Sequence, residues 1–168
     1  DGKSPAFPRD IHILNNEIKN GAAHCVLGFD DSPQVVQTGQ NLPMGIVFRG
    51  NDIHDCGTNI GFEHGLYVGG DILIENNRIG KASGGAVQLQ PSFSNDYTNR
   101  NAVVRNNVFY DSGVGILING SAHKIYNNVT YRTGSTACEP YFAMIFPGFC
   151  HQMGLGGVST GIQSPTIG

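Results

Sequence analysis

What this sequence lacks narrows the options first. It has no tryptophan, only three methionines, and charged residues make up just 14% of its 168 positions. An average globular domain carries roughly 25% charged residues, so the surface has to be built from polar uncharged groups. No Lys/Arg cluster stands out, and a net charge of −3 with a pI near 6.0 excludes the electrostatic footprint of a nucleic-acid binder. No apolar run approaches the roughly 20 residues that span a bilayer as a helix. The four cysteines contain no Cys-x-x-Cys pair, so no zinc pattern is present. The six histidines are scattered, and no metal cluster follows from their spacing.

What is present is glycine and asparagine: 24 Gly and 16 Asn. Glycine at roughly twice its usual share, with few strong helix formers, suits short strands joined by tight turns. The asparagines are periodic. A short alternating apolar stretch ends in Asn-Asn or Gly-Asn and then one more apolar residue, five times over: Asn15-Asn16, Gly50-Asn51, Asn76-Asn77, Asn106-Asn107 and Asn127-Asn128. The period ranges from 21 residues (Asn107 to Asn128) to 35 (Asn16 to Asn51). A constant motif at a variable period predicts a solenoid whose coils share a cross-section and differ in loop length.

Two alternating strands are read in each copy. The first places Ile11/Ile13, Ile46/Phe48, Ile72/Ile74, Ala102/Val104 and Ile125 inward; the second does so with Leu66/Val68, Val87/Leu89 and Ile116/Ile118, and Cys25/Leu27 as their equivalents. Asparagine at the corner satisfies backbone groups, tolerates the left-handed region and can stack as a ladder. The following glycines, Gly21, Gly57, Gly84, Gly113 and Gly134, are expected to supply positive φ. Two outward columns alternate in charge, Arg49–Glu75–Arg105 and Asp55–Lys81–Asp111–Arg132, which supports the alignment independently.

The pieces ILIENNRIGKASGGAVQLQ, VVRNNVFYDSGVGILING and EHGLYVGG resemble the right-handed parallel β-helix repeat of the pectin-lyase-like superfamily, over about residues 9–134. The resemblance implies an all-β, right-handed parallel β-helix of about five coils with an irregular C-terminal cap. It implies a function among polysaccharide lyases, hydrolases, epimerases, adhesins, tailspikes and structural solenoids, without choosing between them. The catalytic signatures of that superfamily's hydrolases, alginate epimerases and calcium-dependent pectate lyases are absent here.

The chain reads as one domain over 1–168: a lead-in at 1–8, repeats at 9–134, and an apolar, aromatic tail at 135–168 that forms the cap or begins further coils. The chain opens at Asp1 without a leader pattern, which fits a processed chain or a piece of a longer protein equally. Four cysteines permit three pairings; Cys138–Cys150 within the tail is the favoured one, and an oxidising, extracellular or periplasmic setting follows. Asn119 and Asn128 both match the glycosylation acceptor pattern, but Asn128 lies in the inward column, where a glycan does not fit.

Insertions at 29–45 and 91–100 occupy the same corner of the first and third coils, leaving a gap above the second. Loops on one face of a solenoid mark its binding face. The floor of that gap is expected to carry Glu63, His64 and Tyr67 as catalytic candidates, with Arg49, Gln88, Asp71 and Arg105 as substrate-binding residues. Such a set suits an acidic or neutral polysaccharide: hydroxyls need hydrogen bonds, sugar rings an aromatic face, and uronates an arginine. Abstraction of the proton beside a uronate carboxylate, as in a lyase or epimerase, would use His64 or Tyr67 as base with Arg49 and Gln88 neutralising the acid. Hydrolysis would need Glu63 and Asp71 as its carboxyl pair, and Glu75 is a poor general acid between two arginines. No cofactor is expected beyond a weak calcium signal at Asp30-Asp31. The reading from another class is a non-catalytic structural solenoid that self-associates through its ends.

Overall fold

The computed structural model describes residues 9–28, 44–58, 63–89, 100–118 and 120–133, together with the backbone of two strands at 155–157 and 166–167. No helix occurs among the described residues. The chain winds through three strands per turn. The first turn carries β1 (His12–Leu14), β2 (Glu17–Lys19) and β3 (Val26–Gly28). The second carries β4 (Met44–Arg49), β5 (Asp52–Cys56) and β6 (Leu66–Val68). The third carries β7 (Asp71–Glu75), β8 (Arg78–Ala82) and β9 (Gly85–Leu89). The fourth carries β10 (Val103–Arg105), β11 (Val108–Tyr110) and β12 (Val114–Ile118). Then follow β13 (Lys124–Tyr126), β14 (Val129–Tyr131), β15 (Leu155–Gly157) and β16 (Thr166–Ile167).

Strands stack into three sheets, ordered β1-β4-β7-β10-β13-β16, β2-β5-β8-β11-β14 and β3-β6-β9-β12-β15, and neighbours in every sheet run parallel. This is the architecture of a β-solenoid. The repeat register holds: Ile13, Phe48, Ile74, Val104 and Ile125 align across the first sheet, and Leu66, Val87 and Ile116 across the third. Inward side chains from all three sheets form one core.

The asparagine column is a ladder with a fixed polarity. Asn51 Oδ1 accepts the amide of Asn16, Asn77 Oδ1 that of Asn51, Asn107 Oδ1 that of Asn77, and Asn128 Oδ1 that of Asn107, each at 2.9–3.0 Å. Each Nδ2 turns to a backbone carbonyl, as Asn77 does to Phe48 O at 2.9 Å. The first residue of each pair does a different job: Asn15, Asn76, Asn106 and Asn127 take φ of 55–56°, and Gly50 takes 68°. Asn128 Nδ2 is held by the carbonyls of Val104 and Tyr126, so it is engaged in the ladder rather than offered to a glycan.

Three expectations change. Each turn has three strands rather than two, because the segment after the asparagines is itself a strand, in which the first inward residue (Ile18, Ile53, Ile79, Phe109) is followed by the dissimilar Lys19, His54, Gly80 and Tyr110; the alternation is too short to announce it. In the first turn, Val26 and Gly28 are the equivalents of Leu66 and Val68, and Leu27 points outward at 59% exposure. Among the expected corner glycines within the described residues, only Gly57 has positive φ (89°); the left-handed corner instead falls on Asn20, Asp55, Lys81, Asp111 and Arg132. Gly84 is needed for space, since a Cβ there would lie 2.8 Å from the His64 ring. A disulfide joins Cys25 to Cys56, with Cα atoms 5.3 Å apart, and of the three pairings this is the one that leaves Cys138 for Cys150. Cys138 and Cys150, the expected pair, lie outside the described residues, as do segments 1–8 and 91–99 and most of 29–45 and of the tail. Within that tail, β15 and β16 pair in the same parallel sense as every other strand.

Both charged columns form. Glu75 is gripped from both sides, by Arg49 at 2.5 Å and Arg105 at 2.6–2.7 Å. In the other column Lys81 reaches Asp55 at 3.6 Å and Arg132 binds Asp111 with two bonds of 2.6 Å.

Candidate functional site

The seven candidate residues divide between two walls. Tyr67, Gln88 and Leu117 share an outward column of the third sheet, as the repeat implies, and Leu27 joins them. Arg49, Glu75 and Arg105 share an outward column of the first sheet, and Asp71 opens β7 on that same sheet. The turn at 69–70 separates β6 from β7. The expectation of one floor carrying Glu63, Tyr67, Gln88 and Arg49 together is therefore corrected: alignment along the axis was read properly, but residues on different strands of one turn face different directions.

On the third wall the central feature is a stack of two histidines, of which His24 was not singled out from sequence. His24 and His64 occupy equivalent places just before β3 and β6. Their rings lie 5.4 Å apart and nearly parallel, and Tyr67 stands edge-on to both at 4.9 and 5.3 Å. The histidines copy the asparagine ladder: His24 Nδ1 accepts the amide of His64 at 3.0 Å, and His64 Nδ1 accepts that of Gly85 at 2.7 Å. With Nδ1 accepting, each neutral ring carries its proton on Nε2. The His64 ring is also hydrogen-bonded to the Gln88 side chain, which leaves it no lone pair for a substrate proton. Burial, then the neighbouring His24, pushes His64 down to about 3. Burial lowers His24 as well, against the opposing charge of Glu63. Glu63 Oε2 takes the Thr58 amide at 2.5 Å, and its carbonyl takes that of Gly84 at 2.6 Å. His64 and Tyr67 are 3% and 4% exposed, so this is a packed cluster rather than an open floor.

That cluster sets an acid limit on stability. The folded His64 stays neutral far below 6.5, whereas the unfolded chain protonates there. Its contribution is complete above about pH 6.5 and is lost as pH falls towards 3, at up to about 1.4 kcal/mol per pH unit. Urea midpoints measured from pH 7 to pH 4 should fall along that window. His64→Asn, whose Oδ1 can accept the Gly85 amide without titrating, should flatten the slope; an unchanged slope would remove His64 from the account.

The first sheet offers a different environment. A surface groove of about 380 Å³ runs along the solenoid axis over its outer face. Val47, Leu73 and Val103, three successive members of one column, make the floor. Lys124 follows Val103 in that same column and closes its end, while Asp71 lies on one margin and Arg105 and Tyr126, two residues further along their strands, on the other. Asp71 and Arg105 were expected as substrate-binding residues; Lys124 and Tyr126 were not, because no motif surrounds them and only the stacking brings them alongside. Arg105 is oriented by Glu75 and by Tyr126 Oη, 3.1 Å from its Nη1. Burial pulls the Glu75 carboxyl up, but hydrogen bonds and charge from Arg105 and Arg49 outweigh it and hold Glu75 below the usual range. It therefore stays a carboxylate and does not act as an acid.

Among the described residues no three His, Cys, Asp or Glu side chains are placed to hold a metal ion, and no helix is long and apolar enough to cross a membrane. Asp30 and Asp31 lie outside the described residues. No family model, curated protein or solved structure matches this chain.

Proposed function

We propose that the chain is a right-handed parallel β-helix of the pectin-lyase-like kind that binds a polysaccharide lengthwise along its first sheet, outside the cytoplasm. The observation that carries this reading is the axial groove, with an aliphatic floor one residue wide and polar groups at both margins. An extended glycan needs such a surface, because apolar sugar faces lie on the floor while hydroxyls and carboxylates meet Asp71, Arg105, Lys124 and Tyr126. Rungs about 4.8 Å apart repeat these contacts along the chain. Right-handedness follows from the strong preference of crossovers between parallel strands. The Cys25–Cys56 bridge favours an oxidising compartment.

Binding without catalysis is the form of this reading the geometry favours. His64 has both ring nitrogens engaged, Glu63 closes a corner, and neither lies on the groove's sheet. Lyase or epimerase chemistry would have to use Tyr67 on a different wall from the arginines.

The test is titration calorimetry with polygalacturonate, alginate and a neutral glucan, with the absorbance of unsaturated uronates followed in parallel. Leu73→Glu should weaken binding of the glycans that do bind by about tenfold or more, which is 1.4 kcal/mol. Lys124→Glu should do so for the acidic ones only, and His64→Asn should leave all unchanged. Absence of binding to every glycan would overturn the proposal, and rising absorbance would return the lyase reading.

A further inference from the structure

Among the described residues, nothing closes one end of the solenoid. The strands β1, β2 and β3 are the terminal members of the three sheets, and all three lie at the same end of the stack. On their outer sides no described strand pairs with them, so they present parallel-sheet edges of the kind that template further pairing. The interior is exposed there too. Ile13, Ile18 and Val26 are only half-buried, whereas Phe48, Ile53 and Leu66, their counterparts one turn on, are sealed. Ile11, Leu14 and Leu27 add exposed aliphatic surface around the rim.

The sequence of β2 identifies what can cover this end. Glu17, Ile18 and Lys19 read as a charge palindrome. If a second copy approaches tip to tip about a two-fold axis through Ile18, its β2 runs antiparallel to the first. Glu17 then faces Lys19 of the second copy and Lys19 faces Glu17, giving two opposite-charge pairs. A parallel, in-register approach would set like charges against each other. The backbone agrees with the antiparallel arrangement. Asp52 donates its amide to Asn16 O, and by the alternation of a parallel ladder the amides of Glu17 and Lys19 point away from β5, towards the open end. Those two residues would then form a hydrogen-bonded pair across the axis. The same axis sets Asn16, whose Oδ1 heads the asparagine ladder with no donor among the described residues, opposite Asn20 of the second copy.

We propose that this end is a homodimer interface, formed by antiparallel pairing of β2 with β2 of a second copy. Lys19 and Glu17, now paired within the strand at 3.0 Å and both well exposed, exchange partners across the axis. The two-fold passes through the middle sheet, so β1 of each copy meets β3 of the other, and the exposed aliphatic rim is buried.

Sedimentation equilibrium on the intact chain over a concentration series tests this. A monomer–dimer equilibrium is expected. Glu17→Lys and Lys19→Glu should each weaken dimerisation by tenfold or more, and the double variant Glu17→Lys/Lys19→Glu should restore it, because the swapped charges are again complementary. Thermal unfolding of each variant at dilute, monomeric concentration checks that folding is intact. Hydrogen exchange supplies a second measurement: the amides of Glu17 and Lys19 should be slow at dimer-forming concentration and fast on dilution. A monomer at every concentration, open-ended oligomers, or a dimer indifferent to the single reversals would each overturn the proposal.

Discussion

Replacing Asn77 by alanine is expected to lower the unfolding free energy by about 3–5 kcal/mol, the largest effect of any single side chain outside the aliphatic core. Asn77 is buried in the middle of the ladder. Its Oδ1 accepts the Asn51 amide at 2.9 Å and Asn51 Nδ2 at 3.0 Å, while its Nδ2 gives to Phe48 O and to Asn107 Oδ1 at 2.9 and 3.0 Å. Alanine strands the Asn51 amide and the Phe48 carbonyl away from water, and each such orphan costs about 1–3 kcal/mol. The void left behind adds to the loss. Two comparisons make the expectation specific. Asn16→Ala removes the same side chain from the exposed end of the ladder, where water can replace it, and should cost about 1 kcal/mol or less. Asn76→Ala, next door, loses no ladder bond and pays only for an alanine at φ 56°, about 1–2 kcal/mol. Equal losses for Asn77 and Asn16 in urea titrations would show that the ladder is not a buried network.

The contrast between Asn76 and Asn77 also marks how far the sequence could be read. The pair was visible as a periodic signal, and its period set the register correctly, because every copy obeys the same constraint of one inward amide per turn. Sheets one and three were visible because two inward aliphatics alternate in most of their strands, β3 and β13 excepted. The middle sheet was not, because β2 and β11 each carry a single inward residue before polar or aromatic outward ones, and one residue is no periodicity. Leu27 misled for a related reason: in an edge turn, an outward leucine between Val26 and Gly28 looks like the inward partner of a nearby cysteine. The candidate site suffered from a limit of another kind. Stacking along the axis follows from sequence, so Tyr67 next to Gln88 and Arg49 next to Glu75 were legible. The angle between sheets does not, and it separates those two columns. Lys124 and Tyr126 join Asp71 in one groove only because β13 stacks two strands away from β7.

Removing the Cys25–Cys56 bridge should produce the second large effect, and a local one. The two cysteines are 31 residues apart and tie the corner before β3 to the end of β5. Closing a loop of that length is worth about 3–4 kcal/mol in the chain-entropy account. The first turn depends on it more than its neighbours would, since its inward residues are half-buried and contribute less burial free energy. In a solenoid each turn interacts chiefly with its neighbours, so the loss stays at the end where it occurs. In Cys25→Ala/Cys56→Ala, amide exchange at Ile18 and Val26 should accelerate by roughly two to three powers of ten, the equivalent of those 3–4 kcal/mol. Amides of β8 and β11 should be unchanged. His24, beside Cys25, should leave the imidazole stack, freeing the His64 amide that it holds. Glycan binding at Leu73 and Val103 should survive, because the groove begins one turn further on, while pairing through β2 should be lost with the turn that carries it. Uniform acceleration across all turns would mean that the stack unfolds as one unit, and that the bridge stabilises the whole solenoid rather than its end.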